Sequence, residues 1–152
     1  VDFMKKNKKQ IKVSITNNLA YVNPELAKQW HSTLNEDLTP YDVTPGSNKF
    51  AWWQCDKSSD HEWSAQVRRR NAGTGCPACR GLMVVMSNCL ATTHPKIAAQ
   101  WHRTKNPDES PYTVTAGSDI KVWWKCKNGH EWESRINNRK QGRGCPSCLI
   151  LK

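Results

Sequence analysis

The sequence is short of the residues that usually build a protein interior. It has two Phe and three Tyr in 152 residues, and hydrophobic types make up 37% of it. One large aliphatic core is therefore not expected, and small units stapled by metal or disulfide are expected instead. Apolar runs are short, and none approaches the ~18 residues of a membrane-spanning helix. No signal-peptide pattern is present, so the expectation is a reduced, intracellular protein, cytoplasmic or nucleoid/nuclear, with no membrane partner. Acids are scarce too: 13 Asp and Glu stand against 23 Lys and Arg, for a formal charge of +10.

Cysteine, by contrast, is plentiful. Seven is an odd number for a disulfide framework, and six of the seven fall at metal-ligand spacing. Cys126-Lys-Asn-Gly-His130 is followed, after fourteen residues, by Cys145-Pro-Ser-Cys148. Each short pair aims two ligands at one ion, and the intervening loop folds the second pair back onto the first. The same set occurs earlier as Cys55, His61, Cys76 and Cys79, again with fourteen residues between His61 and Cys76. Two copies of a four-ligand set predict two Zn2+ per chain.

The duplication extends well beyond the ligands. Shifted by 71 residues, Asn17–Cys55 lies on Asn88–Cys126 with 20 identities in 39 positions and no gap. Past the first cysteine the offset becomes 69, because the first copy carries two extra residues before its histidine. A tandem repeat of this kind predicts two units, at 17–81 and 88–149, with a connector at 82–87 and a basic tail at 1–16. The connector Leu-Met-Val-Val-Met is too apolar for a free linker, so part of it should be buried.

Within each unit, Pro24–Trp30 or Pro95–Trp101 opens with a proline and spaces its apolar residues as a short helix does. A turn-rich stretch, a strand, the ligand-bearing turn and a second strand follow. A polar loop rich in Gly and Asn then leads to the second cysteine pair. The fold class is small α+β and metal-stabilised: two tandem zinc-ribbon or treble-clef-like units, each a zinc-bound β-hairpin with a short helix. Four Trp per unit supply the burial that aliphatic residues do not. Of each Trp-Trp pair, one should face the core and its neighbour should be partly exposed, available to stack on a base or to seal an interface. His31 and His102 are expected to bond within the fold, and Cys89 and His94 lie outside the repeated site.

The recurring residues Leu-Ala, Gln-Trp-His, Pro-Tyr, Val-Thr-x-Gly-Ser, Trp-Trp-x-Cys, His-Glu-Trp and Gly-Cys-Pro-x-Cys resemble the probable zinc-ribbon repeat. This is a treble-clef-like tandem zinc domain, formerly of unknown function. The resemblance spans Leu19 to Cys148 and implies zinc, a ribbon or treble-clef-like fold and association with DNA, sometimes beside a nuclease domain in the same polypeptide. The first unit departs from the pattern in its longer Cys55–His61 turn.

Charge is segregated as well. The tail holds five Lys against one Asp, the first unit is neutral, and the second carries +5. Ser64–Gly75 contains Arg68, Arg69 and Arg70 with no acid, and Ser134–Gly144 contains Arg135, Arg139, Lys140 and Arg143 with no acid. Arginine donates paired hydrogen bonds that match a phosphate. These seven are the expected nucleic-acid contacts, with DNA favoured over RNA by the resemblance. A protein-interaction or structural zinc array is the alternative. No catalytic constellation stands out, so any catalysis is expected in another domain or a partner.

Overall fold

The structure is a computed structural model that describes residues 12–151. Most of the basic tail expected at 1–16 lies outside the described residues. The chain divides into two compact bodies. One takes the described residues through Asp56 and Glu62–Thr74; the other takes Lys57–His61 and the described residues from Gly75 onward.

The first repeat opens with two single-turn helices, α1 (Leu19–Val22) and α2 (Pro24–Ala27). Both are capped by asparagine: the Asn18 and Asn23 side chains accept from the Tyr21 and Leu26 N–H groups. Pro24 stands at the first position of α2, where its missing N–H costs nothing. The hairpin follows as β1 (Phe50–Gln54) and β2 (Glu62–Gln66), antiparallel with Trp53 opposite Trp63. Trp30 adds an antiparallel bridge to Trp53, its ring edge-on to Trp53 at 5.1 Å between centroids. Trp53, Leu19 and Val67 are fully buried, with Val43 and Ala51 almost so.

The second repeat has the same order: α4 (Leu90–Thr93), α5 (Pro95–Ala98), β3 (Lys121–Lys125) and β4 (Glu131–Arg135). Trp124 pairs with Trp132 across the hairpin, and Trp101 bridges to Trp124. Its core gathers Leu90, Val114, Val122, Ile136 and these indoles. The aromatic interior expected from composition is what forms. Each Trp-Trp pair alternates as strand geometry requires, with Trp53 and Trp124 at 0% exposure and Trp52 at 40%.

One expectation needs correction. The stretch after each hairpin is not wholly loop: it begins as a five-residue helix, α3 (Val67–Asn71) or α6 (Ile136–Lys140). Each ends in a Schellman turn, with Thr74 N–H bonded to the Arg69 carbonyl and Arg143 N–H to the Asn138 carbonyl. Gly73 and Gly142 hold the left-handed position there at φ 104° and 94°. A fourth short helix of the second repeat, α7 (Pro146–Ile150), starts just after Cys145.

His31 and His102 bond within the fold as expected. Nδ1 of His31 accepts from Leu34 N–H at 3.1 Å, while Nε2 meets Glu62 Oε1 at 2.9 Å. His102 does the same with Lys105 N–H and Glu131. The Lys105 ammonium and His102 hold the Glu131 carboxyl at about 2. In the connector, Met83 and Val85 are half-buried, while Leu82, Val84 and Met86 are exposed. Among the described residues no helix is long and apolar enough to cross a membrane.

Candidate metal sites and basic surface

The structure brings together all eight predicted ligands, in two groups. Cys55, His61, Cys76 and Cys79 form one and Cys126, His130, Cys145 and Cys148 the other, each with its donor atoms within 4.8 Å of one another. Zn–S bonds of about 2.3 Å and Zn–N bonds of about 2.0 Å give a tetrahedron with S···S edges of about 3.8 Å and S···N edges of about 3.5 Å. The donors fit those edges. Cys126 Sγ lies 3.8 Å from Cys148 Sγ, and His130 Nδ1 lies 3.4, 3.3 and 3.6 Å from the sulfurs of Cys126, Cys148 and Cys145. In the first group His61 Nδ1 is 3.7 Å from Cys76 Sγ and 3.4 Å from Cys79 Sγ.

The electrostatics suit a cation. Burial opposes ionisation of Cys126, but the Asn128 and His130 N–H groups and the neighbouring thiols bring it down to about 7. Cys148 receives a bond from Asn128 Nδ2, yet burial and the adjacent Cys145 and Cys126 push it up. A readily ionised Cys126 beside a Cys148 that resists ionisation describes a cluster whose negative charge a divalent ion neutralises.

The two histidine turns reach the same geometry by different means. In the second repeat Gly129 makes the tight turn at φ 84°. In the first, the two additional residues remove the need for glycine, and Asp60 is tied into the connector. Ser58 Oγ and Ser87 Oγ each donate to Asp60 Oδ1 at 2.7 Å, and Ser87 N–H donates to Oδ2 at 2.8 Å. The Ser58 and Ser87 bonds hold its carboxyl at about 2. With Nδ1 facing the thiols, His61 Nε2 is left to donate to Ser87 Oγ at 3.2 Å. Such a partner orients a ligand imidazole and fixes its tautomer. Ser87→Ala should therefore weaken zinc at the first site by roughly tenfold and leave the second unchanged. A chelator competition that releases both ions with wild-type affinity would refute this.

The predicted basic residues divide into two kinds. Arg68, Arg69, Arg135, Lys140 and Arg143 are exposed. Arg70 and Arg139 are not: they are 7% and 8% exposed and belong to the interior, which corrects their expected place among the outward contacts. The Arg70 guanidinium lies 5.1 Å from the Trp53 ring centroid and 5.0 Å from that of Trp63, and it donates to Gln29 Oε1 and to the Thr74 carbonyl. Arg139 lies at 4.7 and 5.1 Å from Trp124 and Trp132 and donates to Gln100 Oε1. Burial lowers the pKa of Arg139, against the opposing pull of Cys145.

Sequence reasoning missed these roles and that of Asn35. Its side chain both accepts from Trp52 N–H at 2.7 Å and donates to the Trp52 carbonyl at 2.9 Å, standing in for a third strand. Asn106 does the same for Trp123. A signal was present: Gln29, Asn35 and Arg70 all recur in the second repeat, at Gln100, Asn106 and Arg139.

Two Cys3His sites, each joined to a β-hairpin and short helices, define a tandem zinc finger. A family model described as a probable treble clef zinc finger domain matches residues 26–82 and again 97–150. The chain belongs to that family, with two repeats. No curated protein matches the chain.

Proposed function

We propose that this chain is a nucleic-acid-binding module, with DNA the favoured ligand, whose zinc ions are structural. The observation that carries this reading is the exposed basic residues that follow each hairpin. Arg68 and Arg69 on α3, Arg135 at the end of β4, Lys140 on α6 and Arg143 just beyond it stand in two acid-free stretches. Phosphate contacts of this kind position a protein on a strand without reading its sequence. The partly exposed Trp52 offers an indole face on which a base could stack. Four protein ligands close each zinc shell, leaving no position for an activated water, so we assign no catalysis to this chain. A nuclease domain, in the same polypeptide or in a partner, fits that division of roles.

Each phosphate contact on duplex DNA contributes about −0.9 to the slope of log K against log salt. Replacing Arg68, Arg69, Arg135, Lys140 and Arg143 by Ala should reduce the slope by up to about 4.5 and weaken all sequences alike. Titration of zinc-loaded protein against duplex and single-stranded DNA and RNA at several salt concentrations tests this. Undiminished affinity in the folded five-site variant would sink the reading. A protein-interaction role would then lead, favoured by the exposed Leu82, Val84 and Met86 of the connector.

A further inference from the structure

The two repeats carry the same cleft with opposite charge. In the second repeat a cavity of about 630 Å³ is walled by Lys96 in the first turn of α5 and Ala99 just past its end, by Arg103 after the Trp101 bridge, and by Lys125 and Lys127 on either side of Cys126. In the first repeat a cavity of about 460 Å³ occupies the equivalent place, with Glu25, Lys28, Ser32, Gln54 and Asp56 at the corresponding positions. The invariant parts of the lining are Gln29, Trp30 and Cys55 in one and Gln100, Trp101 and Cys126 in the other. His102 and Thr104, unchanged from His31 and Thr33, complete the second lining; of the remaining positions all have changed sign or gained charge except Lys28, which has become Ala99.

The formal charge of the first cleft is −1, from Glu25, Lys28 and Asp56, and Lys28 is itself paired with Glu25 at 2.7 Å. The second holds four cations and no acid. That difference of five matches the net difference between the repeats, neutral and +5, because the charge changes at other positions cancel. Within the cleft every charge change runs toward positive except the loss of Lys28, whereas outside it the changes run both ways. Compensation of the thiolate-rich metal site does not explain it either, because Cys55 is followed by an acid, Asp56, whose Oδ1 lies 3.8 Å from its sulfur, where Cys126 is followed by Lys127. Among the described residues, Lys96, Arg103, Lys125 and Lys127 make no ion pair within the chain.

We propose that the cleft of the second repeat is a phosphate-binding site for a nucleic-acid strand, and that the first repeat lacks one. Four convergent cations in a concave wall concentrate an anion more strongly than the same charges on a convex surface. Arg103 supplies a forked donor and the three lysines supply mobile point charges. The proposal rests on the nucleic-acid reading for its ligand but not for its chemistry, which a free oligophosphate shares.

The test transplants one cleft into the other. The variant K96E/A99K/R103S/K125Q/K127D gives the second repeat the first repeat's lining, and E25K/K28A/S32R/Q54K/D56K does the reverse. The fold already accepts each new residue at the equivalent position; zinc content and circular dichroism verify this. Zinc-loaded proteins are titrated with a labelled single-stranded oligonucleotide at several salt concentrations, and separately with inorganic triphosphate. The first variant should bind the oligonucleotide at least roughly tenfold more weakly, with the salt slope reduced by about three. The reverse variant should bind it more tightly. Unchanged affinity and slope in the first variant overturn the proposal, while the exposed helical cations retain their separate test. Should the wild type bind no oligonucleotide, the nucleic-acid reading fails. Triphosphate bound by the wild type and lost in the first variant would then still establish the cleft as a phosphate site. Triphosphate bound by neither overturns both readings. If the first variant does not fold, the reverse variant decides, and no gain in it refutes the proposal.

Discussion

Removing zinc should unfold this chain, and Cys145→Ser should unfold the second repeat. Neither repeat has an aliphatic interior able to stand alone: the fully buried side chains of the second are Leu90, Cys89, Ile136 and a single indole, Trp124. A structural zinc contributes on the order of 10 kcal/mol to the folding of a small domain, comparable to the entire net stability of an ordinary one. The ligands also come from distant segments, two before and two after the hairpin's return, so their loss unties the segments that the metal holds together. Wild-type protein should contain two zinc ions by elemental analysis and the variant one. Circular dichroism should show the second repeat's share of structure lost. A Cys145→Ser protein that keeps wild-type structure with one zinc ion would overturn the assignment of a folding role to the metal.

Arg139→Ala should lower stability by about 3 kcal/mol, through lost cation–π contact, lost packing and an unpaired Gln100 carbonyl. Arg139→Lys should recover little, because an ammonium cannot lie flat between two indoles while bonding Gln100. Lys140→Ala, one residue along on the same helix but exposed, should change stability by less than about 0.5 kcal/mol. Urea denaturation of the three zinc-loaded variants followed by far-ultraviolet circular dichroism separates these outcomes. Equal midpoints for Arg139→Ala and Lys140→Ala would show that the buried guanidinium carries no structural weight.

The eight ligands were legible in the sequence because metal geometry constrains spacing along the chain, and spacing survives in one dimension. The alternating Trp pairs were legible for a similar reason, since neighbouring strand positions face opposite ways. Arg70 and Arg139 were misplaced because a count of cations carries no information on burial. The clue lay in register: at an offset of 69, Arg70 on Arg139 is the one basic position that the two stretches share, as a core residue would be. The charged cleft was not legible at all. Its cations stand at positions 96, 103, 125 and 127, and only the folding of α5, the Trp101 bridge and the end of β3 brings them to one wall.

The alternation of the tryptophan pairs also has an optical consequence. In the first hairpin Trp53 is wholly dry and its neighbour Trp52 meets solvent, so a single strand holds a blue-emitting and a red-emitting indole side by side. Iodide should quench the red component and leave the blue one, whose ring lies beneath a guanidinium that the quencher cannot reach. The chain thus carries its own two-colour indicator. Loss of the blue band reports that the metal-held interior has opened, and a change in the red band alone reports something settling on the surface.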